Sequence, residues 1–151
     1  MKIINPDTEE LIREIPEDNA STLQEKFNAL KKEQFSWNRE QLSARIQVLR
    51  EFSGLLKKNI ELLASVLTSE VGKPLNQARN EVNGAIARIK WLTDNAEKYL
   101  SDEWMKTDGN PEEKIVYEPL GVICNISAWN YPYLVGVNVF VPALIAGNAV
   151  M

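Results

Sequence analysis

The sequence contains no histidine. This absence excludes, within this chain, catalysis by Ser-His-Asp or Cys-His groups, zinc sites built on histidine ligands and a histidine pH switch. Cysteine is almost absent as well, because Cys124 is the only one and a single thiol cannot form an internal disulfide. We therefore predict no metal site. The N-terminus lacks a basic start followed by an apolar run, so we expect no secretory signal and a cytoplasmic location.

An excess of positive charge is also lacking. The chain has 17 Lys and Arg against 21 Asp and Glu, which gives a formal net charge of -4 at pH 7. This balance argues against nucleic acid or an anionic membrane as a partner. With 151 residues, 44% hydrophobic and 25% charged, the sequence is long enough for one globular domain and has an ordinary globular composition.

Charge is missing altogether from residues 119–151. A membrane span would need about 20 consecutive apolar residues, but four asparagines together with Pro132 and Pro142 interrupt this segment, and no basic residue follows it. The interior of an α/β domain explains the segment better, because a parallel strand covered on both faces and its crossover helix are both apolar. A membrane-associated helical protein is the weaker alternative.

Hydrophobic periodicity predicts a hairpin and then amphipathic helices in the first two-thirds of the chain. Turn residues at 5–8 separate two short strands, and a short helix follows the capping-box spacing at residues 21–24. A second helical pattern runs from residue 42 to Gly72, which has the place of a C-terminal cap. The strongest helix prediction starts at Leu75 and rests on one apolar stripe: Ala78, Val82, Ala85, Ile89, Leu92, Ala96 and Tyr99.

The last third is predicted to form a strand-helix-strand unit. A loop at residues 107–111 and a strand at Lys114–Glu118 precede it. The unit itself consists of a buried strand at 120–127, an exit loop at 128–131, a helix from Pro132 to about Ala146 and a second strand from Ala149. One strand pair and one apolar helix cannot cover each other on every side. We therefore expect residues 119–151 to be incompletely covered by their own chain and to self-associate.

The loop between this strand and this helix is the candidate site, because open α/β sheets place ligands there. It lacks the glycines of G-x-G-x-x-G, so a pyrophosphate against this turn is not predicted. The neutral carboxamide of Asn130 can donate two hydrogen bonds to a developing oxyanion. It can equally cap the following helix, and spacing alone favours the cap.

The other candidates have ordinary structural interpretations. Trp129 can wall a planar ligand or simply pack. Cys124 is predicted to be a buried structural thiol, because it falls inside an apolar strand. Glu70, Glu81 and Glu118 have the residue type of paired acids, but their spacing predicts surface charge.

Five motifs in one order resemble the NAD(P)-dependent aldehyde dehydrogenase superfamily. They are N-P-x-T at residues 5–8, E-x-G-K-P at 70–74, A-R-x-E-V at 78–82, E-P-L-G-V through W-N-Y-P at 118–132, and P-A-L-I-A-G-N at 142–148. They extend over essentially the whole chain. The likeness is specific to the superfamily and not to one substrate.

The resemblance implies an α/β fold. An N-terminal hairpin and amphipathic helices (residues 1–104) lead through a loop and an oligomerisation-like strand (105–118) into the first strand-helix-strand unit of a Rossmann-like parallel sheet (119–151). The implied activity is oxidation of a small aldehyde to a carboxylic acid with NAD or NADP, through a Cys thiohemiacetal and thioester. A homo-oligomer is also implied.

By the same resemblance, Asn130 matches the oxyanion-stabilising asparagine, and this favours catalysis over capping. Ile126, Ser127, Ala128 and Trp129 match the segment that lines the cofactor near its nicotinamide half, although the family usually has proline at the position of Ala128. The family's ribose-binding lysine, glycine-bearing turn, general-base glutamate and nucleophilic cysteine have no match within residues 1–151. We therefore expect this chain alone to be inactive. The alternative is a truncated, non-catalytic relative that serves as a binding or assembly module.

Overall fold

Helices dominate the described residues, with one pair of short strands before them and two further pairs around the last helix. The structure, a computed structural model, describes residues 1–105 and 112–151, so the loop predicted at 107–111 lies outside the described residues. The elements in order are β1 (Lys2–Ile4), β2 (Leu11–Glu14), α1 (Ala20–Arg39), α2 (Leu42–Lys58), α3 (Ile60–Val71), α4 (Leu75–Leu100), β3 (Glu103–Met105), β4 (Glu113–Ile115), β5 (Val122–Ile123), α5 (Pro132–Ile145) and β6 (Ala149–Val150). The predicted α/β class is confirmed.

The N-terminal hairpin forms as predicted. Strands β1 and β2 pair antiparallel, with Lys2 opposite Glu14. The side chain of Asn5 accepts the N–H of Asp7 at 2.9 Å, which closes the turn locally. This turn rests on the end of α3, because a Cβ on Gly72 would lie 3.0 Å from Pro6 Cγ.

Helix α1 begins earlier and runs further than predicted. Asn19 is its N-cap and accepts the N–H groups of Ser21 and Thr22, while Thr22 Oγ1 accepts the N–H of Asn19. The capping box thus lies two positions before the predicted one. The helix extends for 20 residues, and near its end Trp37 Nε1 donates to Leu144 O of α5.

The helical pattern predicted from residue 42 to Gly72 is two helices. Asn59 interrupts it with non-helical backbone (φ -115, ψ 19), and its side chain donates to Leu55 O at 2.8 Å. The apolar pattern continues across this break because α2 and α3 both pack against α4. Gly72 ends α3 in the left-handed region (φ 73), so the predicted C-terminal cap is confirmed.

Helix α4 is the centre of the core. Val82, Ala85 and Ile89 are fully buried on it, and the helix packs against α2, α3 and α5. The predicted apolar stripe is confirmed from Ala78 to Ala96, but Tyr99 is 55% exposed. The described helices include none that is both long enough and apolar enough to span a bilayer.

The strand-helix-strand unit is confirmed with shorter strands. Val122 and Ile123 of β5 pair parallel with Ala149 and Val150 of β6. Strand β5 has no second partner within the described residues. This is why the prediction of a buried strand over 120–127 is wrong at both ends, where the side chains are exposed, and why Cys124 is an exposed thiol and not a buried one.

The strand predicted at Lys114–Glu118 is present in part. Strand β4 covers Glu113–Ile115 and pairs antiparallel with β3, which the sequence patterns did not predict. The residues of the last third are buried to different degrees. Val137, Val141 and Ile145 of α5 are buried, whereas the loop before α5 is exposed.

Candidate functional site

The candidate loop leaves the sheet immediately after β5. Ile123 O accepts the N–H of Met151, and the N–H of Asn125 donates to Met151 O, both at 2.8 Å. Asn148 ties the start of β5 to the end of α5, because its side chain accepts the N–H of Gly121 and donates to Ala143 O. The loop therefore begins from a fixed strand end at the carboxyl edge of a parallel pair.

The structure brings the five predicted site residues together on this loop. Ile126 is 92% exposed and Trp129 is 75% exposed, and Ser127, Ala128 and Asn130 are exposed as well. The packing alternative for Trp129 is therefore wrong within the described residues. The loop presents an open apolar and aromatic surface beside one neutral carboxamide.

Asn130 does not cap the helix that follows it. The N-cap of α5 is Tyr131, which makes no side-chain capping bond. Among the described residues, the Asn130 side chain has no hydrogen-bond partner. The capping alternative is wrong, and the carboxamide is uncommitted.

A residue that sequence reasoning placed on the surface performs the capping. Glu81 Oε1 accepts the N–H groups of Tyr133 at 2.9 Å and of Leu134 at 3.3 Å. Glu81 is only 3% exposed, so the prediction of a surface charge is wrong. Its place in α4 carried the missed signal, since it follows Ala78 by three residues and precedes Ala85 by four, which puts it on the buried face.

Lys73 completes this arrangement. Its Nζ forms a salt bridge with Glu81 Oε2, and its side chain is nearly as buried as that of Glu81. The same Nζ lies 3.5 Å from the centre of the Tyr131 ring. A buried carboxylate without a cation is strongly unfavourable, and Lys73 supplies that cation. We call Lys73 and Glu81 the buried pair.

The buried pair changes what the start of α5 can bind. A helix N-terminus attracts anions through its free N–H groups and partial positive charge. Here Glu81 already occupies the N–H groups of Tyr133 and Leu134. An external phosphate therefore cannot use these two donors, which agrees with the missing glycine-rich turn.

The pKa of the Tyr133 hydroxyl is affected by the same surroundings. Its hydroxyl donates to Leu63 O at 3.3 Å. Burial raises the pKa of this hydroxyl above its usual value of 10.0, and the nearby carboxylates of Glu70 and Glu81 raise it further. In the part of the chain that the structure describes, no cluster of three or more acidic or thiol side chains is arranged to hold a metal ion.

Comparison with known proteins places this geometry in a family. The model of the aldehyde dehydrogenase family matches residues 1–151. The 3,6-anhydro-alpha-L-galactose dehydrogenase of Vibrio sp. (strain EJY3) is 33% identical over 150 residues, which cover 99% of this chain and 31% of that protein. Succinate semialdehyde dehydrogenase of Acinetobacter baylyi is 31% identical over 96% of this chain and 30% of its own length.

A solved structure shows the same fold. The crystal structure of an aldehyde dehydrogenase from Brucella melitensis biovar abortus superposes with a TM-score of 0.93 at 30% identity, covering 99% of this chain and 31% of that one. The chain thus spans about a third of the length of the curated relatives it matches. Because the family match covers every residue, the chain belongs to the aldehyde dehydrogenase family.

Proposed function

We propose that residues 1–151 are the N-terminal portion of an NAD(P)-dependent enzyme that oxidises a small aldehyde to a carboxylic acid. In this proposal, Asn130 stabilises the oxyanion. One observation carries it: the Asn130 carboxamide is exposed and uncommitted, directly before an anchored helix start. A polar side chain that merely capped the helix would instead accept a hydrogen bond from a backbone N–H group of the first turn.

Asn130 suits this task by its chemistry. When a nucleophile adds to an aldehyde, negative charge develops on the carbonyl oxygen, and preorganised donors lower the energy of that state. A carboxamide offers two N–H donors and does not titrate, so its contribution persists across the working pH range. The carboxyl edge of the β5–β6 pair is where α/β sheets place such groups.

The loop fits one half of a dinucleotide better than the other. The exposed apolar surface of Ile126 and Trp129 suits a flat ring and its ribose, whereas the amides at the start of α5 are already occupied by Glu81. We infer that residues 126–129 contact the nicotinamide half and that the phosphates are held elsewhere. When bound, NAD(P) supplies the acceptor for the substrate's hydride.

The nucleophile and general base are proposed to lie outside residues 1–151. Cys124 is the only thiol and lies in a segment that does not match the family's nucleophile motif. The 151-residue polypeptide alone is therefore expected neither to oxidise aldehydes nor to bind NAD(P) tightly. We also propose a cytoplasmic homo-oligomer for the complete protein.

The substrate is proposed only as a class. Names among the relatives include a 3,6-anhydro-alpha-L-galactose dehydrogenase, succinate semialdehyde dehydrogenases and a 3-sulfolactaldehyde dehydrogenase. These names point to small polar aldehydes. A panel of those three aldehydes, each tested with NAD and with NADP, would identify the preferred pair.

The decisive experiment compares two asparagines in the complete polypeptide that contains these residues. Asn130→Ala is expected to lower kcat by about 100-fold or more, as loss of an oxyanion donor does elsewhere, with little change in KM for the cofactor. Asn138→Ala is the matched control, since Asn138 is an exposed asparagine on α5. Formation of the reduced nicotinamide is followed by absorbance.

Two results would contradict the proposal. One is an Asn130→Ala enzyme that keeps its kcat while Asn138→Ala behaves the same way. The other is reduction of NAD(P) by the purified 151-residue polypeptide. The second result would favour a self-sufficient enzyme over a part of one.

A further inference from the structure

We propose that the buried pair, Lys73 and Glu81, is a positioning device for the loop at residues 126–130 and through it for Asn130. This inference rests on the proposed function, because it assigns the pair a role in the reaction that Asn130 serves. Neither side chain is placed to touch substrate. Both act through the backbone and ring that follow Asn130.

The first step is the position of the anchors along the chain. Lys73 Nζ lies 3.5 Å from the Tyr131 ring centre, and Glu81 Oε1 accepts the Tyr133 N–H at 2.9 Å. The two residues that the pair contacts, Tyr131 and Tyr133, both follow Asn130 within three positions. The last backbone bond of the sheet before the loop is made by the Asn125 N–H. The location of Asn130 is therefore set from its C-terminal side.

The second step is the rigidity of the base on which the anchors stand. Lys73 follows Gly72, the left-handed residue that ends α3, and a Cβ at Gly72 would press on Pro6 of the hairpin turn. Glu81 is adjacent to Val82, which is fully buried in the core. The buried pair thus transmits the position of the α3–α4 junction to the loop.

The third step is why the pair is charged. One oxygen of Glu81 accepts both helix N–H groups, and its second oxygen meets Lys73. A glutamine at residue 81 could still accept the N–H groups with its carbonyl oxygen. Its amide N–H₂ would then face the Lys73 ammonium, donor against donor, and the contact of Lys73 with Tyr131 would loosen. Glu81→Gln therefore disturbs the anchor while changing the shape of the side chain very little.

The test is a double-mutant cycle on kcat in the complete enzyme. Glu81→Gln is expected to lower kcat about tenfold, since small displacements of a catalytic group are costly. On the Asn130→Ala background it is expected to lower kcat no further, because the group it positions is gone. Glu61→Gln is the matched control: Glu61 on α3 pairs with Arg79 on α4, but it is exposed.

A second measurement does not depend on turnover. Tryptophan labelled with fluorine gives one ¹⁹F resonance per residue, and Trp129→Phe identifies that of the loop. Glu81→Gln is expected to shift or broaden the Trp129 resonance, while that of Trp91 on α4 stays unchanged. Should Glu81→Gln not fold, Tyr131→Leu removes only the ring above Lys73, and Tyr131→Phe restores it.

The outcomes separate the two proposals. Equal loss of kcat from Glu81→Gln with and without Asn130 overturns the positioning role, and so does an unchanged Trp129 resonance. The role is supported if Glu81→Gln lowers kcat only in the enzyme that retains Asn130 and also changes the Trp129 resonance. If Asn130→Ala leaves kcat unchanged, the proposed function fails, and the Trp129 resonance alone still decides whether the buried pair orders the loop.

Discussion

The two ends of α5 are both fixed by other helices, but by different means. At the N-terminal end, one carboxylate from α4 accepts two N–H groups with one oxygen and pairs with Lys73 through the other. At the C-terminal end, three donors from α1 and α2 meet three separate carbonyls. Trp37 Nε1 donates to Leu144 O at 2.8 Å, Arg45 Nε to Ile145 O at 2.9 Å and Gln34 Nε2 to Gly147 O at 2.9 Å.

This difference arises because the side chains of α5 do not cap its own N-terminus and carry no charge near either end. The helix is almost uniformly apolar, and no acidic or basic side chain lies in its first or last turn. Asn148, just after the helix, donates to Ala143 O, and side chains from other helices provide partners for several of its remaining terminal amides and carbonyls. The N-terminal end depends on one buried ion pair, in which neither charge is stable without the other. At the C-terminal end, separate donors bind separate carbonyls. We expect the first to fail as a unit and the second by degrees.

The largest effect is expected from Lys73→Met. Removing the cation leaves Glu81 charged and buried, and breaking such a pair typically costs about 3–5 kcal/mol. Urea unfolding followed by circular dichroism measures the change. The double variant Lys73→Met with Glu81→Gln is expected to recover much of it, because no unpaired charge remains. A single variant as stable as the parent would contradict the view that the N-terminal end fails as a unit.

A smaller loss is expected from Arg45→Met. Arg45 also donates to Asn38 O and Glu40 O, so the substitution leaves several carbonyls without their charged donor. Loss of about 2 kcal/mol fits hydrogen bonds of this kind. The control is Arg50→Met, because within residues 1–105 and 112–151 the guanidinium of Arg50 forms only an exposed pair with Asp94. The same urea titration, run on both variants, compares the two arginines directly.

A still smaller loss of stability is expected from Trp37→Phe. It removes one indole N–H from Leu144 O and keeps most of the aromatic contact, so about 1 kcal/mol is expected. If the donors act independently, its effect adds to that of Gln34→Ala. A double variant clearly worse than the sum would show that the C-terminal end is coupled like the N-terminal one.

Periodicity predicted most of the elements because it reports burial along a single helix or strand. The stripe on α4, the cap at Gly72 and the parallel unit of β5, α5 and β6 all follow local rules of spacing and turn chemistry. The break at Asn59 did not, since α2 and α3 keep their apolar sides on the same neighbour.

The sequence predicted where the candidate loop lies but not the residues that support it. Ala128, Trp129 and Asn130 lie on the loop expected at 128–131, whereas Ile126 and Ser127, which were expected to end the buried strand, belong to the exposed loop as well. The residue that caps α5, however, comes from 52 positions earlier in the chain, and no local rule links Glu81 to Tyr133. Glutamate was assigned to the surface by its charge, although its helical position was that of a core residue. A charged residue at a core position is thus worth testing for a distant partner.

The smallest effect is expected at high pH and concerns the N-terminal end alone. Tyr133 has its pKa raised in the folded state by burial first and by Glu70 and Glu81 next. Its contribution to stability is therefore complete below the unfolded pKa of about 10 and is lost as the pH rises through the higher folded value. Tyr133→Phe should flatten the fall of the unfolding free energy between pH ~9 and ~11. Tyr117, whose pKa is raised chiefly by its hydrogen bond to Glu103, keeps a residual slope that Tyr117→Phe removes. An undiminished slope in Tyr133→Phe would place the alkaline weakness outside the start of α5.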